Sequence, residues 1–289
     1  MPEFLVHSII HALKDSAMSI PVLFLAYLFM EILERSRRLN EDMLHAYSKK
    51  AGPAIGGLLG AVPQCGISGA AASLFSTGSI TVGTMLAVFF ATSDEMLPIM
   101  LSSMSGANSI APQKILGIVA SKAAIGIVLG YIVDAFASRL FAHKDIHSFC
   151  EREHCECEDE EGSVWHSAIV HTVKIALMLV VVNFALTLVM ELGGEEWLKA
   201  SIISVPVVSE LILAVVGLIP NCAVSVVITE AYLSGIVGLG GLFAGLLSNA
   251  GIGLLVLFRS NANMKENVTI VAIACVLSAI VGIVIGLVF

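Results

Sequence analysis

The sequence predicts an all-α integral membrane protein of two inverted repeats, each with three full spans plus a proline-broken re-entrant pair of half-helices, about ten helical segments in all. Three observations predict it. The 289-residue chain has a mean hydropathy of +0.93, with 57% hydrophobic and 13% charged residues, whereas about a quarter of the residues in a soluble domain are charged. It also contains itself twice: Pro63-Gln64-Cys65-Gly66-Ile67-Ser68 recurs as Pro220-Asn221-Cys222-Ala223-Val224-Ser225, a shift of 157 (220 − 63). Both copies set a proline inside an apolar segment, where a helix loses a backbone hydrogen bond and tends to break.

Spans long enough to cross a hydrocarbon core need roughly 20 apolar residues. Residues 16–33, 80–101, 115–136, 173–190, 236–258 and 268–289 meet that length. The register of the repeat continues downstream without a gap, with Gly78 on Gly235, Gly83 on Gly240 and Ala87 on Ala244. Upstream, His11 and Lys14 match His171 and Lys174 at a shift of 160 (171 − 11), and Met18, Phe24, Met30 and Glu31 match Met178, Phe184, Met190 and Glu191. The division that results is a first repeat over 1–137, a connector over 138–164 and a second repeat over 165–289. No basic stretch followed by a short apolar run and a small-residue cleavage site opens the chain, so no removable signal peptide is expected.

Basic residues in short loops set orientation. Glu34-Arg35-Ser36-Arg37-Arg38, with Lys49-Lys50 soon after, reads as a cytosolic loop. The loops holding Arg139, Lys144 and Arg152, and Arg259 and Lys265, are the next basic ones. All three face one side only if segments 52–75 and 210–231 enter and leave the membrane on the same side, broken at Pro63 and Pro220. Each half then crosses an odd number of times, and the second is inverted relative to the first. The glycines of 56–60 and 235–245 sit in apolar context with no strand before them, so they read as close helix packing rather than a nucleotide loop.

Irregular backbone inside hydrocarbon survives only where it is buried in protein or lines a polar cavity. A proline followed by Gln or Asn and then Cys offers freed carbonyls, half-helix dipoles and a soft sulfur. Inverted repeats would bring Gln64 and Cys65 to face Asn221 and Cys222 at the midplane, a cation site of two sulfurs with amide and carbonyl oxygens. The competing reading is two kinked helices with small buried cysteines. Polar groups within spans default to functional hypotheses. Thr92-Ser93-Asp94-Glu95 interrupts one span, with Ser248-Asn249 in the equivalent place. Asp94, Glu95 and Asn249 are therefore added as substrate-binding candidates, against the alternative that the acids mark a membrane boundary. Glu31 and Glu191 end the first span of each half and are candidates for coupling, as are Glu210 and Glu230, which have Pro53 and Ser73 opposite them in the repeat. Lys122, inside a span, reads as snorkelling or paired.

The connector carries His143, His147, Cys150, His154, Cys155 and Cys157 ahead of Glu158-Asp159-Glu160-Glu161. Imidazole nitrogens and thiolates are the donors transition metals prefer, and His143 and His147 are one helical turn apart. No C-x-x-C pair is present, so the segment reads as a flexible metal-capture or sensing loop rather than a closed zinc finger, the alternative being a solvated acidic linker. Thiols crowded on a cytosolic loop are expected to be reduced.

These residues resemble the ten-helix heavy-metal exporters, a family labelled as manganese or arsenic efflux proteins. The likeness rests on the paired Pro-Gln-Cys-Gly and Pro-Asn-Cys breaks, the halves around them and the His/Cys-rich connector. The Pro-x-Cys element is also similar to the cysteine motif of organoarsenical permeases, whose second nearby cysteine this chain lacks. The resemblance implies a multi-pass protein of the cell inner membrane that exports a metal or metalloid ion. Cysteine ligands favour a soft or borderline ion such as zinc, cadmium or trivalent arsenic. No nucleotide-binding loop is visible, so the expectation is a secondary transporter, with protons as the exchange ion, not an enzyme. Two other readings stay open: transport of a small organic or inorganic anion at half-helix N-termini, and a thiol oxidoreductase using Cys65 and Cys222. No resident cofactor is expected. The expected partners are the transported ion and membrane lipid but no nucleic acid, and a homodimer is compatible with the sequence.

Overall fold

The computed structural model describes residues 21, 24–25, 28, 41–92, 96–102, 111–137, 169, 172–173, 177, 181 and 207–289. Among them the chain is helical throughout, with no strand. The first half supplies α1 (Glu41–Gly60), α2 (Cys65–Ser76), α3 (Val82–Ala91), α4 (Met96–Ser102) and α5 (Pro112–Ala137). The second supplies α6 (Val208–Val216), α7 (Cys222–Leu233), α8 (Leu239–Ser248), α9 (Ile252–Ser260) and α10 (Met264–Val288). The connector and the segments 16–20 and 182–206 lie outside the described residues, as do most of the remaining positions of the first span in each half.

The recurrence in the sequence reappears in the backbone. α2 and α7 start and end 157 residues apart, and so do α3 and α8. The breaks before α2 and α7 are alike in detail. Gln64 N–H donates to Val62 O at 2.8 Å across Pro63, and Asn221 N–H donates to Ile219 O at 2.8 Å across Pro220. This is the tight three-residue turn that a proline φ favours. At their other ends α2 and α7 stop on a glycine of positive φ, Gly78 (80°) and Gly235 (76°). Ser79 N–H reaches Leu74 O at 3.0 Å and Ile236 N–H reaches Ala231 O at 2.9 Å, the six-to-one bond of a Schellman stop.

Two expectations change here. Lys49 and Lys50 belong to α1, a single 20-residue helix from Glu41, and not to the loop after the first span; nothing breaks the helix before Gly60. The spans at 80–101 and 236–258 are also not single helices. α3 stops at Ala91 and α8 at Ser248, and new helices begin at Met96 and Ile252. The polar residues Thr92 and Asn249 occupy the stops, and Asn249 Oδ1 turns back to accept from Gly251 N–H at 2.9 Å, offering the chain an alternative to the helix ladder.

Among the described residues, four runs are long and apolar enough to cross a membrane: Val82–Leu101, Pro112–Phe136, Leu239–Ser260 and Met264–Val288. They make this a multi-pass membrane protein. Burial sorts them. The interrupted run Leu239–Ser260 is 89% buried, while α10 is only 28% buried, so the broken helices form the interior and the unbroken ones the periphery. Leu116, Val128 and Phe136 on α5, and Val268, Val276, Ile280, Val284 and Leu287 on α10, are exposed apolar side chains of the kind that meet lipid.

Lipid is as apolar as leucine, so helices in it associate by close packing rather than by hydrophobic burial. α3 packs against α1 and α5, and in the same way α8 packs against α6 and α10. Small residues allow it. A Cβ at Gly60 would sit 2.6 Å from Val88 O, and one at the equivalent Gly217 would run into Gly245 O. Gly56 would meet Thr84 O at 2.8 Å, and Gly240 would meet Gly282 O at 2.5 Å. Gly56, Gly57, Gly60, Gly240, Gly241 and Gly245 are thus packing surfaces, as the apolar context predicts, whereas a Cβ on Gly235 or Gly238 would meet nothing within 4 Å and Gly235 serves the stop of α7.

Candidate functional site

Contacts between the halves are reciprocal. α2 packs on α9, and its repeat counterpart α7 packs on α4, the counterpart of α9. α3 meets α8, while α5 touches α8 as α10 touches α3. Exchange of equivalent contacts is the pattern a two-fold relation produces. Each Pro-x-Cys break therefore opens a helix that lies against the broken span of the other half. At the first of these junctions, Gly253 in the opening turn of α9 sits against Ser68 in the opening turn of α2. A Cβ on Gly253 would be 2.9 Å from Ser68 Cβ and 2.7 Å from Phe89 Cε1.

Gln64 and Asn221 hold the N-cap positions of α2 and α7. Asn221 is buried, and its Oδ1 accepts from Ala223 N–H at 2.7 Å, satisfying one of the orphan donors that open a helix. Gln64 is half-buried and makes no cap bond of that kind. Cys65 and Cys222 are the first residues of the two helices; their side chains lie outside what is described. The same is true of Asp94, Glu95, Glu31 and Glu191, and of the connector donors His143, His147, Cys150, His154, Cys155 and Cys157. Asn249 is buried at the stop of α8. Glu210 is buried on α6, whereas Glu230 is exposed on α7. Among the described residues, no three of His, Cys, Asp and Glu come together as a metal-holding group.

Charge is concentrated at two further places. Lys122 on α5 is 1% exposed, and a buried ammonium is costly unless it is hydrogen-bonded. Its Nζ donates to Thr92 O at the stop of α3, and to Leu246 O, in the last turn of α8, at 3.2 Å. It so joins the C-terminal ends of both broken helices, which carry partial negative charge. Asp134, also on α5 and buried, accepts from Thr81 Oγ1 at 2.7 Å and from Gly83 N–H at 2.8 Å. A carboxylate at the positive end of α3 is the favourable arrangement.

The second half is built differently here. The long helices α5 and α10 start 152 residues apart (264 − 112), five fewer than the shift of the other helices. On that register Gly130 and Asp134 fall on Gly282 and Gly286. The packing agrees: Gly83 lies against Gly130 and Asp134, and Gly240 lies against Gly282 and Gly286. The place of Asp134 is thus taken by a glycine, and Glu210 on α6 lies close by, its Oε1 2.8 Å from where a Cβ on Gly286 would sit. Glu210 Oε2 is buried with no hydrogen-bond partner among the described residues.

Sequence reasoning therefore passed over Asp134 entirely and read Lys122 only as snorkelling or paired, without its partners, which are the carbonyls of Thr92 and Leu246. It also left Ser68 and Ser225 unremarked within the repeated run, although both are buried one turn into their helices. Their recurrence in the repeated run was the available signal. For Lys122 the signal was a lone cation within an otherwise apolar span.

Comparison with known proteins places the chain by a family model. The model of a family described as "Putative, 10TM heavy-metal exporter" matches residues 2–208. No curated protein and no solved structure matches the chain.

Proposed function

This chain belongs to the ten-helix heavy-metal exporter family, a family of membrane transporters, and we propose that it is a secondary transporter exporting a divalent heavy-metal or metalloid ion in exchange for protons. The substrate would be held where the two Pro-x-Cys breaks meet the broken spans: by the sulfurs of Cys65 and Cys222, the amides of Gln64, Asn221 and Asn249, and the carboxylates of Asp94 and Glu95. The observation that carries this reading is the reciprocal packing of α2 on α9 and α7 on α4. Discontinuous helices paired across two repeats are how many transporters form a central site, because the broken backbone leaves carbonyls and helix ends free to ligate. Together with the basic loops, the exchange of contacts supports a two-fold axis lying in the membrane plane and hence inverted repeats of five segments each. Rocking of one half against the other about that axis would open the site alternately to either side. The connector donors would capture or sense the ion on the cytosolic side, and Glu31, Glu191, Glu210 and Glu230 are the carboxylates available for proton coupling.

The test is export and metal resistance in cells carrying Cys65→Ser with Cys222→Ser. Loss of both is the expected result, and full export by the double variant removes the sulfurs from the site. A second reading, transport of a small anion, draws support from the meeting of the opening turns of α2 and α9 at Ser68 and Gly253, since helix N-termini favour negative charge. Uptake of labelled metal ions and labelled oxyanions into proteoliposomes separates the two.

A further inference from the structure

We propose that the junction between α3 and α8 is a monovalent-cation site which Lys122 fills with a tethered ammonium. A helix leaves its last four carbonyls without intrahelical partners. Here two helices end within the membrane-spanning region, and one buried side chain reaches a carbonyl at each ending, Thr92 O and Leu246 O. Carbonyl oxygens at helix C-terminal ends are the ligands with which membrane proteins strip and hold alkali cations. An ammonium group, with unit charge and three donors, satisfies the same oxygens.

The placement is built into the packing. Gly126, one turn beyond Lys122, lets α5 approach α3 so closely that a Cβ there would sit 3.0 Å from Ala87 O and 3.2 Å from Ala91 N. The register of the second half puts Ala274 opposite Lys122, and Ala274 is buried and apolar. One cation therefore serves both broken helices, and it comes from the first half alone. Because Thr92 belongs to the first half and Leu246 to the second, this cation also ties the halves together at their breaks. Its neutralisation leaves partial negative charge facing partial negative charge across the interface.

The prediction is that a free cation substitutes for the side chain. Lys122→Ala removes the ammonium and leaves room for methylammonium, which reproduces the Cε–Nζ end of lysine. Thermal unfolding of the full chain in detergent is the readout, so the outcome does not depend on which ion is exported. Lys122→Ala is expected to unfold roughly 10 °C below wild type. Its midpoint is expected to rise saturably with methylammonium or potassium chloride, but not with choline chloride at equal ionic strength, while wild type responds to none of them. If Lys122→Ala does not survive purification, purification in methylammonium is expected to recover it, and failure to do so counts against the site. Lys122→Arg is expected to stay close to wild type, because the charge is kept. A Lys122→Ala protein indifferent to both small cations overturns the proposal, and so does a Lys122→Met protein as stable as wild type.

Discussion

In the first half, α3 begins beneath the carboxylate of Asp134, which reaches it from α5; in the second, α8 begins beside Gly286, and the nearby carboxylate is Glu210 from α6. Beside these differences α2 and α3 recur as α7 and α8 with the same extents, down to the proline turns and the glycine stops. Close packing in lipid leaves few ways to place neighbouring helices, so similar sequences give similar paths. The charges differ between the halves: Asp134 bonds to the first turn of α3, whereas Glu210 lies beside Gly286 with one oxygen unpartnered among the described residues. One further inequality is informative. Lys122 has no counterpart in the second half, since Ala274 stands in its place, yet it bonds to both halves.

Asp134 gives the largest of the effects that test this contrast. Asp134→Ala loses bonds from Thr81 and Gly83 to a buried charged acceptor and is expected to cost about 3 kcal/mol, read from unfolding in denaturant. Glu210→Ala is expected to cost about 1 kcal/mol, as removing a buried carboxylate with one unpartnered oxygen also removes its desolvation penalty. Gly286→Asp alone crowds Glu210 and is expected to cost about 2 kcal/mol. Combined with Glu210→Ala it recreates the arrangement of the first half, and at least half of that loss should return. Simple additivity in this double-mutant cycle breaks the equivalence of the two positions.

A smaller contrast concerns the two N-caps. Asn221→Ala removes a cap bond and is expected to cost about 1 kcal/mol. Gln64→Ala, at a position with no such bond, is expected to cost only about 0.3 kcal/mol. Equal losses on the same unfolding assay mean that the caps act alike and the asymmetry at the breaks is superficial.

Much of this was legible in the residues. Pro63 and Pro220 mark the breaks because proline cannot complete the ladder, and most glycines of the two runs mark packing, while Gly235 marks a helix stop. The second pair of breaks showed only as polar interruptions at Thr92 and Ser248-Asn249, since a polar residue in a span does not by itself say whether the helix continues. The register of α10 was hidden because the gapless match holds through Ala87 and Ala244, and the five-residue offset enters later. With it went the relation between Asp134 and Gly286, and so the reason for Glu210 facing Pro53 in the repeat. Lys49 and Lys50 misled as loop residues, because charge near a span end is shared by loops and helix ends alike. The bond from Lys122 to Leu246 spans 124 positions and leaves no local pattern to read.

The central claim is that the ion is held at the paired breaks rather than in the connector. Calorimetric titration with zinc, cadmium and trivalent arsenic tests it on three proteins: wild type, a connector variant without its Cys and His residues, and Cys65→Ser with Cys222→Ser. Binding that survives in the connector variant and disappears with the two cysteines is the predicted result. Binding that disappears with the connector and persists without Cys65 and Cys222 contradicts it.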